Sequence, residues 1–66
     1  GAKIEDGKLY ANLALPGMDI RYTTDGSEPT TDALLYQAPI DVKGGIIKVK
    51  AFDDKGRSGF EAVVKD

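Results

Sequence analysis

The fold is decided by the stretch IRYTTDGSEPT, residues 20–30. It begins as a strand, because Ile20 and Tyr22 alternate with polar residues and would share one face of a sheet. It then becomes a polar loop in which several side chains can bond the neighbouring backbone. A strand that runs directly into such a loop is typical of an all-β domain.

Each loop residue has a turn role. Asp25 is expected to form an Asx-turn over Gly26 and Ser27, and Ser27 and Thr30 can bond their own backbone in a similar way. Pro29 forces the residue before it into an extended conformation. We interpret the loop as a structural element that redirects the chain between two sheets. The alternative is a polar loop that binds a ligand.

Turn residues recur along the rest of the chain about every eight to twelve positions, as expected for a sandwich or barrel. The other turns are Asp6-Gly7, Pro16-Gly17, Gly44-Gly45 and Asp53-Asp54-Lys55-Gly56. Pro16-Gly17 fits a type II turn, with the glycine in the left-handed conformation. Asp6-Gly7 and the stretch that ends at Gly56 are predicted to close hairpins.

Between the turns, apolar and polar residues alternate with period two, which favours antiparallel strands with one buried face. The inward residues are predicted to include Leu9, Ala11, Leu13, Leu15, Ile47, Val49 and Ala51. Strands are predicted near Ala2–Glu5, Lys8–Leu15, Asp19–Thr23, Leu34–Tyr36, Ile40–Val42, Ile46–Asp53 and Arg57–Val64. The sequence therefore predicts one antiparallel β-sandwich of about seven short strands over residues 1–66, without a long helix.

Composition excludes several classes of function. The 66 residues carry a net charge of −2, with no basic cluster of the kind that binds nucleic acid and no apolar run long enough to cross a membrane. With no Cys and no His, the chain lacks thiolate metal ligands, the commonest general base and the commonest metal ligand. A chain this short cannot both keep a core and enclose a deep substrate cleft. We expect no cofactor.

The acidic residues do not form a recognisable catalytic or metal site. Asp25, Glu28 and Asp32 do not follow the spacing of a calcium loop, and Asp53 with Asp54 belong to a hairpin. Glycoside hydrolysis by two carboxyl groups needs one acid with a raised pKa, whereas acids in turns stay solvated and ionised. We therefore predict that the chain has neither a catalytic residue nor a metal ligand.

Two aromatic residues are candidates for an interaction surface. Tyr10 and Phe52 fall on the faces of their strands that alternate with the predicted core faces. An exposed ring there could contact a neighbouring domain or stack on a sugar. We favour contact with a neighbouring domain, because the chain has no Trp, which serves best as a sugar platform.

Three blocks of sequence, in this order, resemble the chitobiase/β-hexosaminidase C-terminal domain family. They are YTTDGSEPT at 22–30, LYQAPI at 35–40 and IKVKAFDDKGRS at 47–58. The resemblance covers about residues 18–60. Its signature positions in the first block are Tyr22, Thr23, Asp25, Gly26, Ser27, Pro29 and Thr30.

The resemblance implies an immunoglobulin-like or fibronectin-III-like β-sandwich that supplies no catalytic residue to its parent enzyme. We expect the chain to be the C-terminal piece of an exported bacterial β-N-acetylhexosaminidase, located in the periplasm, at the cell surface or outside the cell. No stretch of it resembles a signal peptide. The expected partner is the catalytic domain of the same parent chain. The alternative function is weak binding of a glycan or of the cell surface.

Overall fold

The computed structural model describes residues 2–11, 16–37 and 39–65 and contains seven strands within them. The strands are β1 (Ala2–Glu5), β2 (Lys8–Ala11), β3 (Asp19–Thr23), β4 (Leu34–Leu35), β5 (Ile40–Asp41), β6 (Ile46–Phe52) and β7 (Ser58–Lys65). The predicted all-β class and the number of strands are confirmed. None of the described residues belongs to a helix, so none forms an apolar helix of membrane-spanning length.

The strands form two antiparallel sheets. One sheet has the order β1-β2-β5, and the other has the order β4-β3-β6-β7. Contacts between β1 and β7 bring the two sheets together along one side. The arrangement is that of a small β-sandwich, as the turn spacing predicts.

The core lies between the sheets and is built from the alternation that the sequence shows. Leu9, Ile47 and Val49 are fully buried and cluster with Tyr22 and Val42. Removing a large aliphatic side chain from water in this way stabilises a fold by about 1.5–3 kcal/mol for each residue. The predicted inward face of β6 is therefore confirmed.

The predicted turns hold the expected backbone conformations. Gly7, Gly17, Gly26 and Gly56 all have positive φ, between 74° and 83°. Asp6 joins Gly7 in the left-handed region, with φ of 53°, which fits the primed turns that link two strands most tightly. The Asx-type bonds of the last hairpin run from the Lys55 and Arg57 N–H groups to the Asp53 carboxylate, at 2.9 and 2.8 Å.

Within the described residues, β1 and β3 match the prediction, and the ends of β4, β5, β6 and β7 differ from it by one residue each. β2 is described as far as Ala11, and residues 12–15, including the predicted inward positions 13 and 15, lie outside the described residues. β6 ends at Phe52, because Asp53 belongs to the turn. β7 begins at Ser58 and extends to Lys65. β4 and β5 each contain two residues rather than three.

Candidate functional site: the Asp25–Gly26 loop and its groove

The loop between β3 and β4 is held by bonds among its own residues. One carboxylate oxygen of Asp25 accepts the Ser27 N–H at 3.0 Å and the Ser27 hydroxyl at 2.6 Å. This is the Asx-turn that the sequence predicts. Gly26 turns the chain with φ of +83°, a conformation that side chains with a Cβ rarely adopt. The loop is therefore shaped by its own sequence.

Two threonines extend this bonding to both ends of the loop. At the end of β3, the Thr23 hydroxyl donates to the Ser27 carbonyl. At the far end, the Thr30 hydroxyl accepts the Asp32 N–H at 3.2 Å, and the Thr30 carbonyl accepts the Ala33 N–H at 3.0 Å. Pro29 is buried between these ends. Asp25 and Thr30 therefore have the predicted turn roles, whereas the Ser27 hydroxyl bonds the Asp25 carboxylate rather than the backbone.

An ion-pair network fastens the loop to the outer face of the four-stranded sheet. The two carboxylate oxygens of Glu28 lie 3.2 Å from Lys48 Nζ and 2.9 Å from Lys50 Nζ. Lys50 also pairs with Glu61 of β7, at 3.2 Å. The network links the loop, β6 and β7. The sequence does not predict the network, although the spacing of Lys48 and Lys50 puts two cations side by side on one face of β6.

The electrostatics of the loop favour ionised carboxylates. The bonds from the Ser27 hydroxyl and N–H hold the pKa of Asp25 below its ordinary value. Bonds from Lys50, and then from Lys48, lower the pKa of Glu28. Neither acid has the raised pKa that a general acid in glycoside hydrolysis needs.

A groove of about 290 Å³ opens beside the loop. Its walls come from the end of β3, from the loop and from the beginning of β4, and its lining residues are Tyr22, Thr23, Thr24, Asp25, Ser27, Asp32, Ala33 and Leu34. Four of the seven signature positions therefore line one concave surface. The lining includes two acidic residues and no basic one. The sequence does not predict this groove, although all of its lining residues lie within positions 22–34, because alternation and turn residues do not give the shape of the loop.

The carboxylates of the described residues do not gather into a metal centre. Within residues 2–11, 16–37 and 39–65, no group of three or more Asp and Glu side chains is arranged to hold a metal ion. Asp53 is instead bonded to the backbone and the guanidinium of Arg57, at 2.8 and 2.7 Å.

The two aromatic candidates occupy different environments. Tyr10 is half-buried, and the ammonium of Lys3 lies 5.9 Å from the centre of its ring. Phe52, by contrast, is only 8% exposed, so its predicted exposure is wrong. A β-bulge between Lys50 and Phe52 interrupts the regular pairing with β7 at this point. The extra residue lies in β7, and Phe52 keeps its regular register with Asp19 of β3, so its burial does not come from a change in the alternation of β6.

Comparison with known protein families identifies the chain. The family model described as "Chitobiase/beta-hexosaminidase C-terminal domain" matches residues 1–60. No solved structure matches the chain. Because the family match covers nearly the whole sequence, the chain belongs to the chitobiase/β-hexosaminidase C-terminal domain family, whose members are accessory parts of these enzymes.

Proposed function

We propose that this member of the chitobiase/β-hexosaminidase C-terminal domain family is a non-catalytic accessory domain of an exported bacterial β-N-acetylhexosaminidase. It packs against the catalytic domain of the same parent chain and stabilises or positions it. The chemistry of hydrolysis belongs to that other domain, and the present chain contributes a folded surface.

One observation supports this proposal above the others. The polar side chains of the signature loop bond to the chain itself, since Asp25 holds Ser27, Thr30 holds the Asp32 N–H and Glu28 holds two lysines of β6. A catalytic loop presents at least one such group to a substrate. We therefore infer that the signature residues maintain the conformation of the loop.

The pKa values of the carboxyl groups agree with a structural role. The pKa is lowered for Glu5, Asp25, Glu28 and Asp53, by hydrogen bonds from Lys3, Ser27, Lys50 and the Arg57 backbone respectively. All four carboxyl groups are held in the ionised form. A general acid that works near neutral pH requires the opposite shift.

The alternative is a weak glycan-binding module, which needs exposed aromatic rings for stacking on sugars. Tyr10 is a half-buried candidate, and Lys3 lies over its ring. Phe52 is buried and cannot form a two-ring platform with it. These observations favour contact with the parent enzyme over contact with a glycan.

The test compares the parent enzyme with and without these 66 residues. We expect the truncated enzyme to melt several degrees lower and to lose activity on a soluble aryl N-acetylglucosaminide as it unfolds. Unchanged melting, with a loss of activity confined to an insoluble polymeric substrate, would instead support the glycan-binding alternative. Unchanged melting and unchanged activity on both substrates would contradict the docking role.

A further inference from the structure

The exposed edge of the four-stranded sheet lies beside the groove. In the described part of the chain, β4 pairs with β3 alone and ends the sheet. Both of its residues are large, apolar and exposed to solvent, Leu34 to 59% and Leu35 to 38%. An edge strand with exposed apolar side chains is a template for another strand.

The backbone of β4 can form further hydrogen bonds in that direction. The Tyr36 N–H donates to the Ile20 carbonyl at 2.7 Å, so this residue directs its backbone groups towards β3. Backbone groups alternate along an antiparallel strand. The N–H and C=O of Leu35 therefore point away from β3, where an added strand would pair with them.

Two of the hydroxyl groups that line the groove next to this edge are already engaged as donors. The Thr23 hydroxyl proton is donated to the Ser27 carbonyl, and the Ser27 hydroxyl proton is donated to Asp25. A hydroxyl group has one proton, so both retain only lone pairs for a ligand. Asp25 and Asp32 add negative charge to the lining. A ligand that carries positive charge therefore suits this groove.

The neighbouring cation does not neutralise the groove. Arg21 donates to the Ala33 carbonyl at 2.9 Å, and its guanidinium also lies 3.6 Å from the Asp19 carboxylate. The aromatic residue of the groove, Tyr22, is only 9% exposed, so it offers no open ring face for stacking on a sugar. Charge, shape and the adjoining strand edge favour a polypeptide over a glycan.

We propose that the groove and the β4 edge together bind an extended polypeptide segment that carries a Lys or Arg two residues away from an apolar residue, so that both side chains lie on the groove side. The segment pairs with the backbone of Leu35, its apolar side chain covers Leu34, and its cation enters the groove near Asp25 and Asp32. This inference rests on the proposed docking function and names the surface that performs it. The segment belongs to the adjoining domain of the parent enzyme.

The test uses two synthetic peptides that differ in one charge. The ¹⁵N-labelled chain is titrated with acetyl-Thr-Val-Thr-Lys-Thr-amide, in which Val and Lys share one face, and with the same peptide carrying Glu in place of Lys. We expect the Lys peptide to give saturable shifts in the amide signals of residues 25–27 and 32–35, with weaker binding as salt is raised. We expect the Glu peptide to give no saturable shift.

Matched variants test the charge of the groove. Asp32→Asn should weaken binding of the Lys peptide about two- to fivefold, the range for an exposed ion pair. Asp54→Asn removes the same charge from the last hairpin and should leave binding unchanged. Leu34→Thr should also weaken binding, because Leu34 contributes the most exposed apolar surface of the edge.

Three results would overturn the inference: no binding of the Lys peptide, equal binding of both peptides, or shifts confined to another face. Its failure is distinguishable from failure of the proposed function. If the truncated parent enzyme is destabilised while Asp32→Asn and Leu34→Thr in the full enzyme change nothing, docking stands and occurs on another surface. If truncation changes nothing, the proposed function itself fails.

Discussion

Lys50 Nζ lies 2.9 Å from a carboxylate oxygen of Glu28, although the two residues are 22 positions apart in the sequence. The contact joins the signature loop to the centre of the larger sheet. Lys50 has a side chain only 17% exposed, and Glu61 binds it from the other side at 3.2 Å. An ion pair inside such a network is less mobile than an isolated surface pair and restricts the loop more strongly.

Replacing Glu28 with Gln should lower the melting temperature modestly, because Lys48 and Lys50 lose their shared carboxylate. The matched control is Asp54→Asn, which also removes one negative charge but lies in a turn exposed to water. Thermal melts at low and high salt measure the effect. The difference between Glu28→Gln and the unmodified chain should shrink as salt rises, since screening weakens exposed pairs. Equal melting of Glu28→Gln and Asp54→Asn at low salt would show that the network does not stabilise the loop.

The register of β6 can be tested with two neighbouring isoleucines. Ile47 is fully buried, whereas Ile46 is 41% exposed on the opposite face. Ile47→Ala should lower the free energy of unfolding by about 2–5 kcal/mol, because it leaves a cavity between the sheets. Ile46→Ala should change it by about 0.5 kcal/mol or less, as is usual at exposed positions. Urea titrations of both variants measure the difference. Similar losses for the two would contradict the alternation of β6.

Stability should depend on pH in the acid range. The folded-state pKa values of Glu5, Asp25, Glu28 and Asp53 lie below the ordinary values of 4.5 for Glu and 3.8 for Asp. The unfolded chain therefore takes up protons before the folded chain does, so the stabilisation is complete above those ordinary values and is lost as pH falls through the lowered ones. Urea midpoints measured across the acid range should stay constant above about pH 5 and fall below it.

The Glu28→Gln variant provides the control for this pH dependence. It lacks one of the four titrating groups, so its urea midpoint should fall less steeply in acid than that of the unmodified chain. If stability already began to fall above pH 6 as the solution is acidified, no side chain of this sequence would explain it, because the sequence contains no His. Such a result, or no loss at all in acid, would contradict the assigned pKa shifts.

The sequence predicts the strands well because their signals are local. Period-two alternation and turn glycines are signals that involve only a few neighbouring residues. The alternation identifies β3, and the glycines identify the Gly26 turn and the hairpin that ends at Gly56. The Asx-turn of Asp25 is equally local, since donor and acceptor are two residues apart. These features follow from the chain without knowledge of its tertiary contacts.

The missed features depend on tertiary structure. The Glu28–Lys50 pair has no local signal, because the register between β3 and β6 decides which residues come together. The groove lies within residues 22–34, and its shape depends on how the loop between β3 and β4 folds. Phe52 keeps its regular register with β3, so its burial does not come from a change in the alternation of β6. Alternation assigns a residue to one face of a sheet but does not tell whether other residues cover that face.

Substitutions at Asp25 and Gly26 should have different effects in a structural loop and in a loop that binds a ligand. Asp25→Ala removes the acceptor of both Ser27 bonds and should lower the melting temperature by a few degrees. Gly26→Val should cost about 1–3 kcal/mol, because φ of +83° strains a β-branched residue whatever space surrounds it. The space itself is adequate, since a Cβ at Gly26 would meet Ile46 Cβ at an ordinary 3.8 Å. Gly26→Asn provides the matched control, because Asn tolerates the left-handed conformation better than Val and should lose less stability.

Melts of these variants and of the unmodified chain are recorded with and without calcium. If both Asp25→Ala and Gly26→Val melt like the unmodified chain in calcium-free buffer, and calcium stabilises only the unmodified chain, the loop is a calcium site and its structural assignment is wrong. If all variants shift in the predicted order and calcium changes none of them, the Asx-turn and the backbone of Gly26 are what the signature sequence maintains.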